Sequence, residues 1–171
     1  MSNIDVLIPE EQVRARIKEM AAELSGKYKG ECLVFIGILN GSVFFLTELA
    51  QHMSVPVEFD FMAASSYVGT DSTGKVLITK DLDRSIENKH VIIVEDIVDT
   101  GQTLHLLCEM LRAKGPASLE IVTLLDKPDR RKVSFEADMA GFRIPDKFVV
   151  GWGMDYNQRY RELPYIGIIN E

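Results

Sequence analysis

Apolar positions along the chain fall into two periods. From Pro9 to Gly30, Val13, Ile17, Met20, Ala21, Leu24 and Tyr28 recur at steps of three and four, which predicts an amphipathic helix. Pro9 with Glu10 and Glu11 suits its start, because proline fits the first turn and acids favour the N-terminal end. CLVFIGIL, residues 32 to 39, is instead a continuous apolar run, as expected of a strand buried on both faces. Asn40-Gly41-Ser42 then turns into a second helical pattern through Val43, Leu46, Leu49 and Met53. Pro56 opens a stretch that alternates Val57, Phe59 and Phe61 with Glu58 and Asp60, which predicts a half-exposed strand.

Residues 65 to 75, SSYVGTDSTGK, are polar and glycine-bearing and read as a long mobile loop. VLITK (76 to 80) is a short strand, and VIIV (91 to 94) a second buried one. A third helix carries Leu104, Leu107, Cys108 and Leu111 and stops at Gly115-Pro116. LEIVTLL (119 to 125) and KFVVGWG (147 to 153) read as a third and a fourth buried strand, and YIGII near the end as a strand outside the main sheet. Strands alternating with helices give an α/β architecture with a mainly parallel sheet.

The length of 171 residues suits one domain with a substantial core. Hydrophobic residues at 46% and charged residues at 26% exclude a disordered or low-complexity chain. The net charge of −7 gives no global footprint for nucleic acid. The N-terminus lacks a signal-peptide pattern, and no run is apolar enough to cross a membrane, so the expected compartment is the cytoplasm. Cys32 and Cys108 are read as buried free thiols, and His52, His90 and His105 lack the spacing of metal ligands.

In open α/β sheets ligands bind beyond the carboxyl ends of the strands. There the sequence places Leu39-Asn40-Gly41-Ser42, then Glu95-Asp96-Ile97-Val98-Asp99-Thr100-Gly101-Gln102-Thr103, then Asp126-Lys127 and finally Trp152-Gly153-Met154-Asp155. The second of these is the most informative. A turn opening a helix offers free N–H groups and two threonine hydroxyls to a phosphate. A helix cap would account for Asp99 and Thr100. It would not account for Glu95 and Asp96 directly after a β-branched strand. Paired acids beside a phosphate cradle call for a cation or sugar hydroxyls.

Two acids, two apolar residues and Asp-Thr-Gly-x-Thr resemble the phosphoribosyl pyrophosphate motif of type I phosphoribosyltransferases. Leu39-Asn40-Gly41-Ser42 is similar to the family's pyrophosphate loop, and Ser66-Tyr67 to its flap. Lys127 and the segment 145 to 161, PDKFVVGWGMDYNQRYR, resemble the purine site of the hypoxanthine-guanine branch. The resemblance spans nearly the whole chain in the family's order. It implies a twisted, mainly parallel sheet flanked by helices, with a core of about 10–150 and a small hood from 1–9 and 151–171.

The resemblance also implies roles. Asp99 exchanges a proton with N7 of the base. Glu95 and Asp96 hold the ribose hydroxyls, partly through Mg²⁺. Thr100, Gly101, Gln102 and Thr103 cradle the 5′-phosphate. Leu39, Asn40, Gly41 and Arg161 meet pyrophosphate. Lys127, Phe148, Val149 and Asp155 bind the purine, and Glu95, Asp96 and Asp155 are the metal ligands. Asn40 and Gln102 depart from the family, which often has basic residues there. The implied activity joins hypoxanthine or guanine to phosphoribosyl pyrophosphate, in a dimer or tetramer. Transfer to another base, such as xanthine or uracil, and an RNA-binding regulator on the same fold are the alternatives. The charge and the intact Asp99 motif oppose the regulator.

Overall fold

The computed structural model describes residues 3–66 and 75–170. Among these the elements are β1 (Asn3–Ile8), α1 (Glu10–Lys27), β2 (Leu33–Ile38), α2 (Val43–Gln51), β3 (Val57–Ser66), β4 (Val76–Lys80), β5 (His90–Val98), α3 (Gln102–Arg112), β6 (Ser118–Asp126), β7 (Met139–Arg143), β8 (Val149–Val150) and β9 (Ile166–Asn170). The larger sheet has the order β4-β3-β2-β5-β6-β7. Its strands β3, β2, β5, β6 and β7 run parallel, and β4 is an antiparallel edge. A smaller antiparallel sheet joins β1, β9 and β8. The α/β architecture read from the sequence is therefore the observed one.

Alternation along the buried strands divides the core. Phe35, Ile92 and Val94 pack on the face covered by α1 and α2. Val34, Ile36, Val91 and Ile93 pack on the opposite face with Leu104, Leu107 and Leu111 of α3. This parity decides where the acids at the end of β5 point. Glu95 continues the set that faces α3, and Asp96 continues the set that faces α1 and α2.

Four expectations need correction. KFVVGWG is not a fourth strand of the main sheet. Only Val149–Val150 is extended, and it pairs with β9. Gly151 (φ 96°), Trp152 (φ 49°) and Gly153 (φ 95°) turn the chain immediately afterwards. The outermost parallel strand is β7, whose MAGFR offers too weak an apolar run to be read. Its edge is covered by Arg16, which donates to the carbonyls of Ala140 and Gly141. In β3 the expected faces fail: Phe59 is 45% exposed, whereas Asp60 is only 5% exposed. The Asp60 carboxylate accepts from the N–H groups of Phe61, Asp83 and Arg84, so it is a buried turn-former. Cys32 is exposed, one residue before β2, while Cys108 is buried and its thiol is pushed up to about 12 by desolvation.

The smaller sheet is fixed to α1 by Trp152. Its indole N–H donates to the Pro164 carbonyl at 2.6 Å, and the Arg14 guanidinium lies 5.2 Å from its ring centroid. These contacts hold the segment that follows β8 over the carboxyl edge of the main sheet.

Candidate active site

β2 connects through α2 to β3 on one side, and β5 through α3 to β6 on the other. The crevice between the carboxyl ends of β2 and β5 is therefore the switch point where such sheets bind ligands. Two small pockets open there. The first, about 180 Å³, is lined by Glu95, Asp99, Thr100, Gly101 and Thr103 with apolar Ile97, Val98 and Leu104. The second, about 190 Å³, is lined by Asp96, Asp99, Lys127, Phe148, Val149 and Asp155 with Ile97 and Met154. Ile97 and Asp99 border both, so one carboxylate stands between the two cavities.

The first pocket combines the carboxylates of Glu95 and Asp99 with donors that suit an anion. Gly101 adopts a left-handed conformation (φ 79°) directly before α3. A side chain there would press on Arg131 and Phe135. The first N–H groups of α3 have no carbonyl within the helix to meet, and the helix dipole adds positive potential. Gln102 is exposed and does not line this pocket.

The second pocket pairs an exposed ring with a buried cation. Phe148 is 55% exposed and meets Tyr156 edge-on, with ring centroids 5.6 Å apart. Lys127, on a strand end where an exposed side chain would be ordinary, is only 7% exposed. Its backbone N–H donates to the Val98 carbonyl at 2.9 Å, which locks the end of β6 to that of β5. Among the described residues no carboxylate lies within ion-pair distance of its ammonium.

The loop after β2 lies against both acid-bearing segments. Gly41 has no room for a side chain because the Asp96 carboxylate occupies that position, and Gly153 packs equally closely on the Gly41 carbonyl. The Leu39–Asn40 peptide is cis, and Asn40 is exposed. Arg161 reaches the same place from the other side. It donates to the Gly153 carbonyl at 2.6 Å and lies 3.4 Å from the Asp155 carboxylate. Ser66 closes β3. Tyr67 lies outside the described residues.

Glu95, Asp96 and Asp155 do not form one cluster, because Glu95 and Asp96 face opposite sides of the sheet. Among the described residues no three potential ligands converge on a common metal position. Burial pushes the Glu95 carboxyl well above the usual range, and the neighbouring Asp96 charge adds to this. Burial also raises Asp96 to about 6; the Ile97 N–H and Arg161 oppose the shift, and the Asp155 charge adds to it. Asp96 and Asp155, two like charges lining one pocket with the first disfavoured by burial, suit a divalent cation that brings further ligands with it.

The Asp96 shift has a consequence for stability. A carboxyl whose pKa rises on folding contributes stability that is present below about 3.9, its unfolded value, and lost as the pH climbs through 6. Asp96→Asn, which keeps an acceptor for the Ile97 N–H, is expected to melt a few degrees above wild type at pH 7.5, at ~2–4 °C per kcal/mol. The gap should close at pH 4. Melting curves without metal or substrate test this, and equal destabilisation at both pH values would contradict it.

The residues missed in the sequence are Arg130 and Arg131. A 3-10 turn, Pro128–Arg130, follows β6 and carries them back to the Asp99 turn. Arg130 Nε donates to Asp99 Oδ1 at 3.0 Å, and Arg131 donates to the Asp99 carbonyl at 2.6 Å. The only signal available was two adjacent arginines after a proline turn.

A parallel sheet with an amide cradle and a carboxylate-lined pocket at its switch point is the arrangement of a phosphoribosyltransferase. Residues 7–158 match the family model described as the phosphoribosyl transferase domain. The chain is 51% identical over 166 residues to the hypoxanthine-guanine phosphoribosyltransferase of Staphylococcus aureus, covering 96% of this chain and 93% of that one. It is 48% identical to the enzyme of the same name from Bacillus subtilis, covering 96% and 92%. A crystal structure of hypoxanthine phosphoribosyltransferase from Staphylococcus aureus superposes with a TM-score of 0.93 at 51% identity, covering 97% and 91%. A Bacillus anthracis hypoxanthine-guanine phosphoribosyltransferase superposes with a TM-score of 0.93 at 44% identity, covering 99% of each chain. The chain belongs to the hypoxanthine-guanine phosphoribosyltransferase family.

Proposed function

We propose that the chain is a purine-salvage transferase that joins hypoxanthine or guanine to 5-phosphoribosyl 1-pyrophosphate, giving IMP or GMP and pyrophosphate. The observation that supports this best is the buried Lys127 ammonium in the same pocket as the exposed Phe148 ring. An ammonium donates only, and so asks for an acceptor such as the C6 oxygen of a 6-oxopurine. Phe148 stacks on the ring of the base, and the Val149 backbone meets its Watson–Crick edge.

The other pocket takes the sugar phosphate. The α3 N-terminus with Thr100 and Thr103 receives the 5′-phosphate, and Glu95 from this pocket and Asp96 from the neighbouring one approach the ribose hydroxyls. Gly41 and its neighbours, together with Arg161, receive pyrophosphate through backbone amides and a guanidinium. Asp99, between the pockets, accepts the proton that the base loses as N9 bonds to the anomeric carbon. Amide donors fixed before the reaction stabilise charge developing on the leaving group.

Asp96 and Asp155 would hold Mg²⁺ that arrives with the pyrophosphate, and the ion would neutralise the leaving group. Turnover is therefore expected to require Mg²⁺ or Mn²⁺, and to stop in excess chelator and return on adding the metal. Full activity in chelator would contradict this. Among the described residues no helix is long and apolar enough to cross a membrane. A cytoplasmic homo-oligomer, dimer or tetramer, completes the reading; Phe44 and Phe59 offer exposed apolar surface, and sedimentation would give the number of subunits.

The decisive experiment is a steady-state comparison of kcat/KM for hypoxanthine, guanine, xanthine and adenine with phosphoribosyl pyrophosphate. Turnover of hypoxanthine or guanine is the expected result. No turnover of any 6-oxopurine would overturn the reading.

A further inference from the structure

The two arginines after Pro128 hold Asp99 at two different points. Arg131 is anchored in the fold. Its guanidinium donates to the buried Asp126 carboxylate at 2.5 Å, to the Phe135 carbonyl at 2.7 Å and to the Asp99 carbonyl at 2.6 Å. It thereby fixes the backbone of Asp99 relative to the end of β6. Arg130 reaches the side chain instead, donating from Nε to Asp99 Oδ1 at 3.0 Å. Its Nη1 lies 3.7 Å from the Asp146 carboxylate, two residues before Phe148. The Arg130 N–H donates to the Lys127 carbonyl at 3.1 Å, so the 3-10 turn sets where this guanidinium starts.

Arg130 is not among the residues lining the pocket that holds Lys127 and Phe148, whereas Asp99 is. Its route to the substrate therefore runs through Asp99. We propose that Arg130 is a positioning residue for the Asp99 carboxylate, occupying Oδ1 and leaving Oδ2 as the acceptor that meets the base. This rests on the reading of Asp99 as the group that takes the proton from the purine. The terminal torsion of an aspartate is broad and roughly two-fold, so without a partner the carboxylate samples orientations that are not productive. The planar fork of an arginine restricts that torsion, and a lysine ammonium does so less well. By linking Asp99 to Asp146, the same side chain also ties the proton acceptor to the segment that presents the stacking ring.

The effect should appear in kcat and not in folding. An exposed ion pair adds little to stability, so Arg130→Ala should melt within a few degrees of wild type. Misplacing a reacting group can cost up to about 10²-fold, and Arg130→Ala is expected to lower kcat for hypoxanthine roughly 10-fold with KM for phosphoribosyl pyrophosphate unchanged. Arg130→Lys should recover part of the loss. The distinguishing measurement is a double-mutant cycle with Asp99→Asn. If Arg130 acts through Asp99, adding Arg130→Ala to Asp99→Asn should change kcat no further.

A wild-type kcat for Arg130→Ala would overturn the proposal. So would the same fold loss in both backgrounds, which would mean that Arg130 acts independently of Asp99. If Asp99→Asn alone retained wild-type turnover, the reading of Asp99 would fail first, and the proposal with it. That outcome is visible in the single variant and separable from the other two.

Discussion

Asp99→Asn is expected to keep the fold and lower kcat by roughly 10²–10⁴, the usual contribution of a positioned general base. The residue borders both pockets, so in the proposed reading, with the sugar phosphate in one and the base in the other, its carboxylate would lie between them. Asparagine preserves the shape and can still accept from Arg130, but it cannot take a proton at neutral pH. The loss should appear in kcat and kcat/KM together, because the interaction is made only as the proton moves. Binding of phosphoribosyl pyrophosphate should change little, since the amides at the start of α3 are backbone groups. Single-turnover rates with hypoxanthine, alongside equilibrium binding of the sugar phosphate, separate these two quantities. Wild-type turnover across the whole pH range would remove Asp99 from the proton transfer.

The elements legible in the sequence were those whose period was strong. Continuous apolar runs identified β2, β5 and β6, and the three- and four-residue steps identified α1, α2 and α3. β7 was missed because an edge strand covered by α1 needs few large apolar residues. The KFVVGWG segment misled for the opposite reason: its apolar run serves the interface between the smaller sheet and α1. Glycines at positive φ end the extended stretch after two residues. Asp60 shows the limit of alternation, since a buried carboxylate satisfied by three backbone N–H groups looks in sequence like an exposed polar residue.

The candidate site was more legible than its support. Residues at strand ends follow from topology, so Asp99, Thr100 and Lys127 could be placed on one rim in advance, whereas Phe148 came from the family resemblance alone. The separation of Glu95 from Asp96 followed from strand parity and could have been read from Ile92 and Ile93. The contacts of Arg130 and Arg131 with Asp99 could not. They depend on a 3-10 turn returning across 31 and 32 residues of sequence, and no local pattern reports such a distance.

Lys127 carries the largest expected discrimination. Hypoxanthine and guanine present an acceptor oxygen at C6, whereas adenine presents an amino group, which donates as the ammonium does. Lys127 is only 7% exposed, so a mismatched donor there cannot simply turn to water. Leaving buried polar groups unpaired costs ~1–3 kcal/mol each, and more for a charged one. Sites built around such a hydrogen bond can reject the wrong partner by roughly 10⁴ or more. Turnover is therefore expected with hypoxanthine and guanine and almost none with adenine. Lys127→Ala should lose most 6-oxopurine activity and narrow the gap, because the rejecting charge is gone along with the attracting one. Phe148→Leu provides the contrast. Stacking on the ring face does not sense the C6 substituent, so this change should weaken all purines alike and leave the ratio unchanged. The kcat/KM ratio of hypoxanthine to adenine in the three proteins measures both effects. Equal use of adenine by the wild type would remove Lys127 from base selection.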